Sequence, residues 1–220
     1  MQNRRFKVTQ KRSISFIALL AVLTALVVGA IALALPALAE NRVTPEPTIV
    51  TFDVAEDMNR FVWDKDTVHE DGMPAYGSAF YTEGWLYPAG TLDGTNGVIV
   101  NEDGTVEPEF PELVVGTWAC YGYMIGDGAR TETGPWVAST QIYNLGDQAG
   151  EETIVTTGFE LVDFNTNVER AVVGGTGQYA HASGELHQQL LGFNQSEGVV
   201  LRVEFDLQNV EETAALGQAQ

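Results

Sequence analysis

The chain has 220 residues, eleven Lys+Arg against thirty Asp+Glu, and a formal charge of −19. Five of the bases (Arg4, Arg5, Lys7, Lys11 and Arg12) precede any acid, so from Glu40 onward six bases face thirty acids, a net of −24. Such a field repels phosphate backbones and anionic bilayers, which excludes nucleic-acid partners and electrostatic membrane docking after loss of the leader. Cys120 is the single cysteine, which excludes an intrachain disulfide framework and a Cys-based zinc site.

In chain order, residues 1–12 are a basic n-region and Ile14–Leu35 is an uncharged run of 22 residues. Ala37-Leu38-Ala39 then places small residues at the −3 and −1 positions of a signal-peptidase site, so residues 1–39 read as a signal peptide cleaved after Ala39. The alternative is an uncleaved membrane anchor through residues 14–35, since about 20 apolar residues span a bilayer. In both readings the rest of the chain is exported, to the periplasm or the medium. Residues 40–48, with Pro45 and Pro47, read as a linker, 49–207 as the folded domain and 208–220 as a flexible tail. The mature surface keeps one lysine, Lys65. Its self-repulsion is relieved by screening, which points to a saline or calcium-rich setting. Thermal unfolding should therefore shift upward as salt is added, and a flat profile would count against this reading.

Strand character falls on Ile49–Val54, Ser78–Tyr87, Val114–Ile125, Val137–Leu145, Thr153–Val162, Val168–Val173, Gly184–Phe193 and Val199–Leu207. The last segment shows why: Val199, Leu201, Val203, Phe205 and Leu207 share one face, with Arg202, Glu204 and Asp206 opposite. A helical turn is expected near Ala55–Trp63. Residues 64–74 and 89–112 read as loops, the second with a small hairpin at Asn101-Glu102-Asp103-Gly104. Eight antiparallel strands protect their edges best by closing into a barrel, although a two-sheet sandwich satisfies the same periodicity.

The segment Ala171-Val172-Val173-Gly174-Gly175-Thr176-Gly177-Gln178-Tyr179-Ala180, followed by Ala182-Ser183-Gly184-Glu185, resembles the hallmark turn of the allene oxide cyclase and dirigent superfamily. Gly116-Thr117-Trp118, Thr156-Thr157-Gly158-Phe159 and Glu197-Gly198 are similar to its surroundings, and the likeness covers roughly residues 76–207. The Gly128–Trp136 connection looks most like the bacterial barrel-only branch. The resemblance implies an eight-stranded antiparallel β-barrel around an apolar cavity, with Gly174, Gly175, Thr176, Gly177, Tyr179 and Gly184 as a structural motif. Plant members cyclise a fatty-acid epoxide or steer phenoxy-radical coupling. The same glycines match a loose dinucleotide fingerprint, but that fingerprint needs a following helix where Gly184–Phe193 is strand-like.

A polar residue on the inward face of a closed barrel would stand out. Glu160 lies in an otherwise apolar strand, and Glu185 and His187 alternate with Leu186, Gln188 and Leu190. A buried glutamate beside a phenol such as Tyr143 would form an acid–base pair with a raised carboxyl pKa. Glu160, Glu185, His187 and Tyr143 are therefore the catalytic candidates. Tyr81, Tyr121, Tyr123 and Arg202, the lone base of the last strand, are the ligand-binding candidates. Alternation equally suits Glu160, Glu185 and His187 to the solvent face. His69, His181 and His187 have no metal-ligand spacing, and neither a metal nor a cofactor is implied. The expected protein is an exported, isomerase-like or dirigent-like barrel that binds an apolar or aromatic small molecule and steers its cyclisation or coupling, with a homo-oligomer left open. The alternative is a non-catalytic exported module whose lumen is filled by side chains and whose loops meet a partner. A cavity near the usual lower bound of about 300 Å³ separates the two.

Overall fold

The computed structural model describes residues 46–210, so the leader, its cleavage site and residues 211–220 of the tail lie outside the described residues. Ten strands form: β1 (Thr48–Trp63), β2 (Ala79–Pro88), β3 (Val98–Val100), β4 (Val106–Pro108), β5 (Gly116–Met124), β6 (Pro135–Asn144), β7 (Thr153–Leu161), β8 (Asn167–Gly175), β9 (Ser183–Phe193) and β10 (Val199–Gln208). Eight of them close a barrel in the order β1-β10-β9-β8-β7-β6-β5-β2, every pairing antiparallel. Closure leaves no free edge, which resolves the barrel-or-sandwich ambiguity. β3 and β4 form the expected hairpin around Asn101–Gly104 and pair only with each other.

One local expectation is overturned. Ala55–Trp63 is not helical but the second half of β1. It pairs with β2 from Phe52↔Pro88 to Trp63↔Phe80, with an irregularity between Asp57 and Val62. The irregularity holds itself together: Asp57 Oδ1 accepts the Asn59 N–H at 3.0 Å, and Asn59 Nδ2 donates to the Gly104 carbonyl at 2.6 Å. Ladder bonds to β10 and β2 outweigh the weak helical preference of that stretch, and the bulge disguises its period-2 pattern.

Inward residues from all eight barrel strands make one core, including Val54, Leu86, Trp118, Tyr143, Ile154, Leu186, Leu201 and Phe205. A second cluster lies against the outer wall. There Leu92, Val98, Val106 and Phe110, from residues 89–114, cover Ala55, Tyr87 and Val200. β1 is consequently buried on both faces where Asp53 and Ala55 sit. Asp53 is satisfied by Arg202 Nε at 2.8 Å and by the N–H groups of Gly90 and Leu92 at 2.8 and 2.9 Å.

The Gly-Gly-Thr-Gly segment ends β8, forms the 3-10 turn Gly177–Tyr179 and leads into β9, with no helix of the kind a dinucleotide fingerprint requires. Tyr179 is buried in the main core, and Thr176 Oγ1 lies 3.0 Å from Thr153 Oγ1. Gly184 is the tightest position. Its φ is +141°, and a Cβ there would sit 1.9 Å from the Asp206 carbonyl oxygen of β10. Gly184→Ala should therefore destabilise the barrel by about 3 kcal/mol, from backbone strain plus a displaced ladder. Urea unfolding measures it; a loss below about 1 kcal/mol would mean that the β9–β10 crossing is looser than described.

Candidate functional site

The two ends of the barrel differ. At the end where β8 runs into the glycine turn, Tyr143, Phe205, Leu207, Ile154 and Tyr179 fill the lumen; the Tyr143 and Phe205 rings meet edge to face at 4.9 Å. At the opposite end, where β1, β5, β7 and β9 finish, a cavity of about 280 Å³ remains. Phe61, Trp63, Phe80, Trp118 and Trp136 line it, with Met58, Met73 and Met124 between them. Pro74 and Ala129 border it from the β1–β2 and β5–β6 loops. Those loops are tied together by the Ala129 N–H to Pro74 carbonyl bond at 3.0 Å and by the Arg130–Asp71 pair at 2.8 Å.

Two buried carboxylates, Glu56 and Glu160, border this cavity, and their surroundings differ. Glu160 belongs to a buried polar network across the mid-lumen. Arg170 Nη1 lies 3.6 Å from Glu160 Oε1, Gln188 Nε2 donates to Oε2 at 3.2 Å, and the hydroxyl of Ser139 donates to Oε1. The Cys120 thiol donates to the same oxygen at 3.4 Å. Burial, reinforced by the Glu160 charge, pushes that thiol well above its usual pKa, so it is a packed donor and not a nucleophile.

Glu56 has only neutral partners. Thr82 Oγ1 donates to its Oε1 at 2.6 Å and the Val199 N–H to its Oε2 at 2.7 Å. Burial pushes its carboxyl up to about 7, with Glu160 and Asp57 adding smaller contributions in the same direction. A carboxyl poised near neutrality at the wall of an apolar cavity can give or take a proton under ordinary conditions.

The candidates expected from the sequence separate by wall. Glu160 and Tyr143 point into the barrel and are buried. They do not form the expected acid–base pair, because Tyr143 donates its hydroxyl proton to Gln141 Oε1 and Glu160 is engaged by Arg170. Burial raises the Tyr143 phenol far above its usual range, so it stays protonated. Glu185 and His187 lie on the outer wall of β9, away from the cavity, because Leu186 and Gln188 hold the inward positions.

Tyr81, Tyr121 and Tyr123 also face outward, on β2 and β5, and are 40, 45 and 60% exposed. Tyr81 donates to Glu83 at 2.7 Å beside an open outer groove of about 480 Å³. The charged side chains of that groove satisfy one another, Arg60 pairing with both Glu83 and Asp57. Arg202 is committed to Asp53 and the Leu92 carbonyl, so it braces the outer loop.

Glu56 escaped sequence reasoning. The alternation Phe52-x-Val54-x-Glu56 was present, but with the first strand ended at Val54, Glu56 fell into the expected helical turn. Continuing the period-2 pattern one step would have placed it on the inward face.

No family model matches the sequence, and no curated protein matches it. Solved structures do. A pterocarpan synthase dirigent protein is similar with a TM-score of 0.50 and 14% identity, covering 77% of this chain and 99% of its own. A second pterocarpan synthase dirigent protein has a TM-score of 0.46 and 16% identity, covering 74% of this chain and 89% of that one. Pyocyanin demethylase has a TM-score of 0.46 and 15% identity, covering 73% of this chain and all of that one. Likeness at such identity concerns the course of the chain and not its chemistry. The closed ring of eight antiparallel strands, with its glycine turn at the plugged end, is an allene oxide cyclase/dirigent-like fold.

Proposed function

We propose that this protein is exported and holds an apolar or aromatic small molecule in the mouth of its barrel, where it steers a cyclisation or coupling. The observation that carries this reading is the asymmetry of the lumen: one end is packed solid, while the other keeps about 280 Å³ walled by aromatic and thioether side chains. That volume is close to the small end of ligand pockets and suits two or three fused rings better than a long chain. Catalysis in such a site would come mainly from confining a reactive conformer away from water. Glu56 would add proton transfer, giving a proton in its neutral form and accepting one in its charged form. The non-catalytic alternative draws on the plugged end of the lumen, which Tyr143, Phe205 and Tyr179 fill.

Native mass spectrometry of the protein purified from its source cells should show a small-molecule adduct. Ala129→Trp, which places an indole across the mouth, should remove it. No adduct, together with no quenching of the cavity tryptophans by millimolar bicyclic aromatics, would favour the non-catalytic alternative.

A further inference from the structure

We infer that the mouth cavity selects an organic cation, an aromatic amine or an N-alkylated aromatic ring, whose positive charge settles against Glu56. This rests on the cavity being the ligand site and adds the charge of its occupant. Among the residues that line the cavity there is no Lys, Arg or His, while three are glutamates: Glu56 and Glu160 inside and Glu197 at the exposed rim. The charge of Glu160 is answered from within the protein by Arg170. That of Glu56 is not. Thr82 and Val199 supply neutral donors only, and the charged neighbours that bear on Glu56, Glu160 and Asp57, are both acidic. Asp57 in turn has its own partner in Arg60, 3.6 Å away. The barrel thus holds a buried carboxylate without a counter-charge beside an open volume.

The walls of that volume suit the missing charge. Aromatic rings present negative π-faces, and Trp118, Trp136, Phe61 and Phe80 are part of the lining. A fifth ring, Trp63, is already used, with Lys65 Nζ 2.8 Å from its centroid. Thioethers from Met58, Met73 and Met124 add polarizable contacts. An anionic ligand would meet like charge, and a neutral one would leave Glu56 unanswered. A cation answers it and draws the carboxyl back to its charged form, so binding below pH 7 releases a proton.

The test uses the full chain in 150 mM salt and three bicyclic probes of nearly equal shape: N-methylquinolinium, 1-methylnaphthalene and 1-naphthoate. Titration calorimetry and tryptophan quenching at pH 8 should show N-methylquinolinium binding at least tenfold more tightly than 1-methylnaphthalene, with 1-naphthoate weakest. Affinity for the cation should fall by up to tenfold per pH unit below about 7. Calorimetry at pH 6 in two buffers of different ionisation heat should register the released proton. Glu56→Gln should lose the cation preference and the pH dependence yet keep its affinity for 1-methylnaphthalene, which reports an intact cavity. Glu204→Gln, on the outer wall of β10, should keep the preference, and Ala129→Trp should bind none of the probes, which separates the cavity from adsorption on the acidic surface.

Equal or tighter binding of 1-methylnaphthalene, or an unchanged cation preference in Glu56→Gln, overturns the inference and leaves the ligand cavity standing. Failure of all three probes to bind overturns the cavity reading itself.

Discussion

Arg170→Met is expected to lower the free energy of unfolding by about 3–5 kcal/mol, because it removes the only positive charge paired with Glu160 among the described residues. Arg170 is 1% exposed, and its guanidinium bonds to two neighbouring strands, β6 and β7. Its Nη1 donates to the Phe159 carbonyl at 3.1 Å, its Nη2 to the Ser139 carbonyl and hydroxyl at 3.1 and 3.0 Å, and its Nε to Thr156 Oγ1 at 3.4 Å. Gly158 makes room for the stem, since a Cβ there would lie 3.1 Å from Arg170 Cγ. Methionine would fill most of the space and donate nothing. Lysine would restore the charge but not the fork of donors, and should recover only part of the loss.

The double variant Arg170→Met with Glu160→Met should recover most of the stability, because removing both charges also removes their desolvation. Urea unfolding of the four proteins closes the cycle. A single-variant loss below about 1 kcal/mol would mean that water reaches the pair, and the buried polar network of the mid-lumen would have to be abandoned.

Glu56→Gln should change how stability depends on pH by about 3 kcal/mol. The folded-state pKa is raised to about 7 from an ordinary 4.5, so between those values the folded chain keeps a proton that the unfolded chain releases. The stabilising contribution of this group is therefore complete below pH 4.5, declines as pH rises, and is gone above about 7. A rise of some 2.5 pH units at 1.36 kcal/mol each sets the size of the effect.

Exposed carboxylates act in the opposite sense. Asp71 and Asp163, both held below the usual range by hydrogen bonds, from Arg130 and from Thr133, favour the folded state at higher pH. The total profile mixes these contributions, so the informative quantity is the difference between wild type and variant. Glutamine keeps the shape and accepts the Thr82 hydroxyl, and the variant should be less stable relative to wild type at pH 5 than at pH 8. Parallel profiles across that range would show that Glu56 is solvated and would remove it from the site.

Much of the barrel was legible in the residues. Alternation in Val199–Leu207 and Gly184–Phe193 marks which side chains turn inward, because a strand has period two and one wet face. The glycines at 175 and 184 mark close approaches that a side chain would block, with the Thr153 and Asp206 carbonyl oxygens against them, while those at 174 and 177 supply the positive φ of the turn. β1 was legible only to Val54, since its irregularity between Asp57 and Val62 breaks the period by which a strand is recognised.

The site was less legible, for a physical reason. Whether a glutamate on an alternating strand is wet or buried depends on which face meets the lumen and on what its neighbours across the barrel are. Glu160 and Glu185 look alike in the chain, but one meets Arg170, Ser139 and Gln188 inside while the other lies in solvent. Asp53 and Arg202 are 149 positions apart, and only the β1–β10 pairing makes them partners.

By itself, then, the sequence determined the strand periodicity, the glycine turn and the acidity, because these depend on residue type and local spacing. Closure, the plugged and open ends, and the difference between an answered and an unanswered carboxylate were decided by the tertiary structure alone. Burial and counter-charge come from strands that are distant in the chain and adjacent only once the ring has closed.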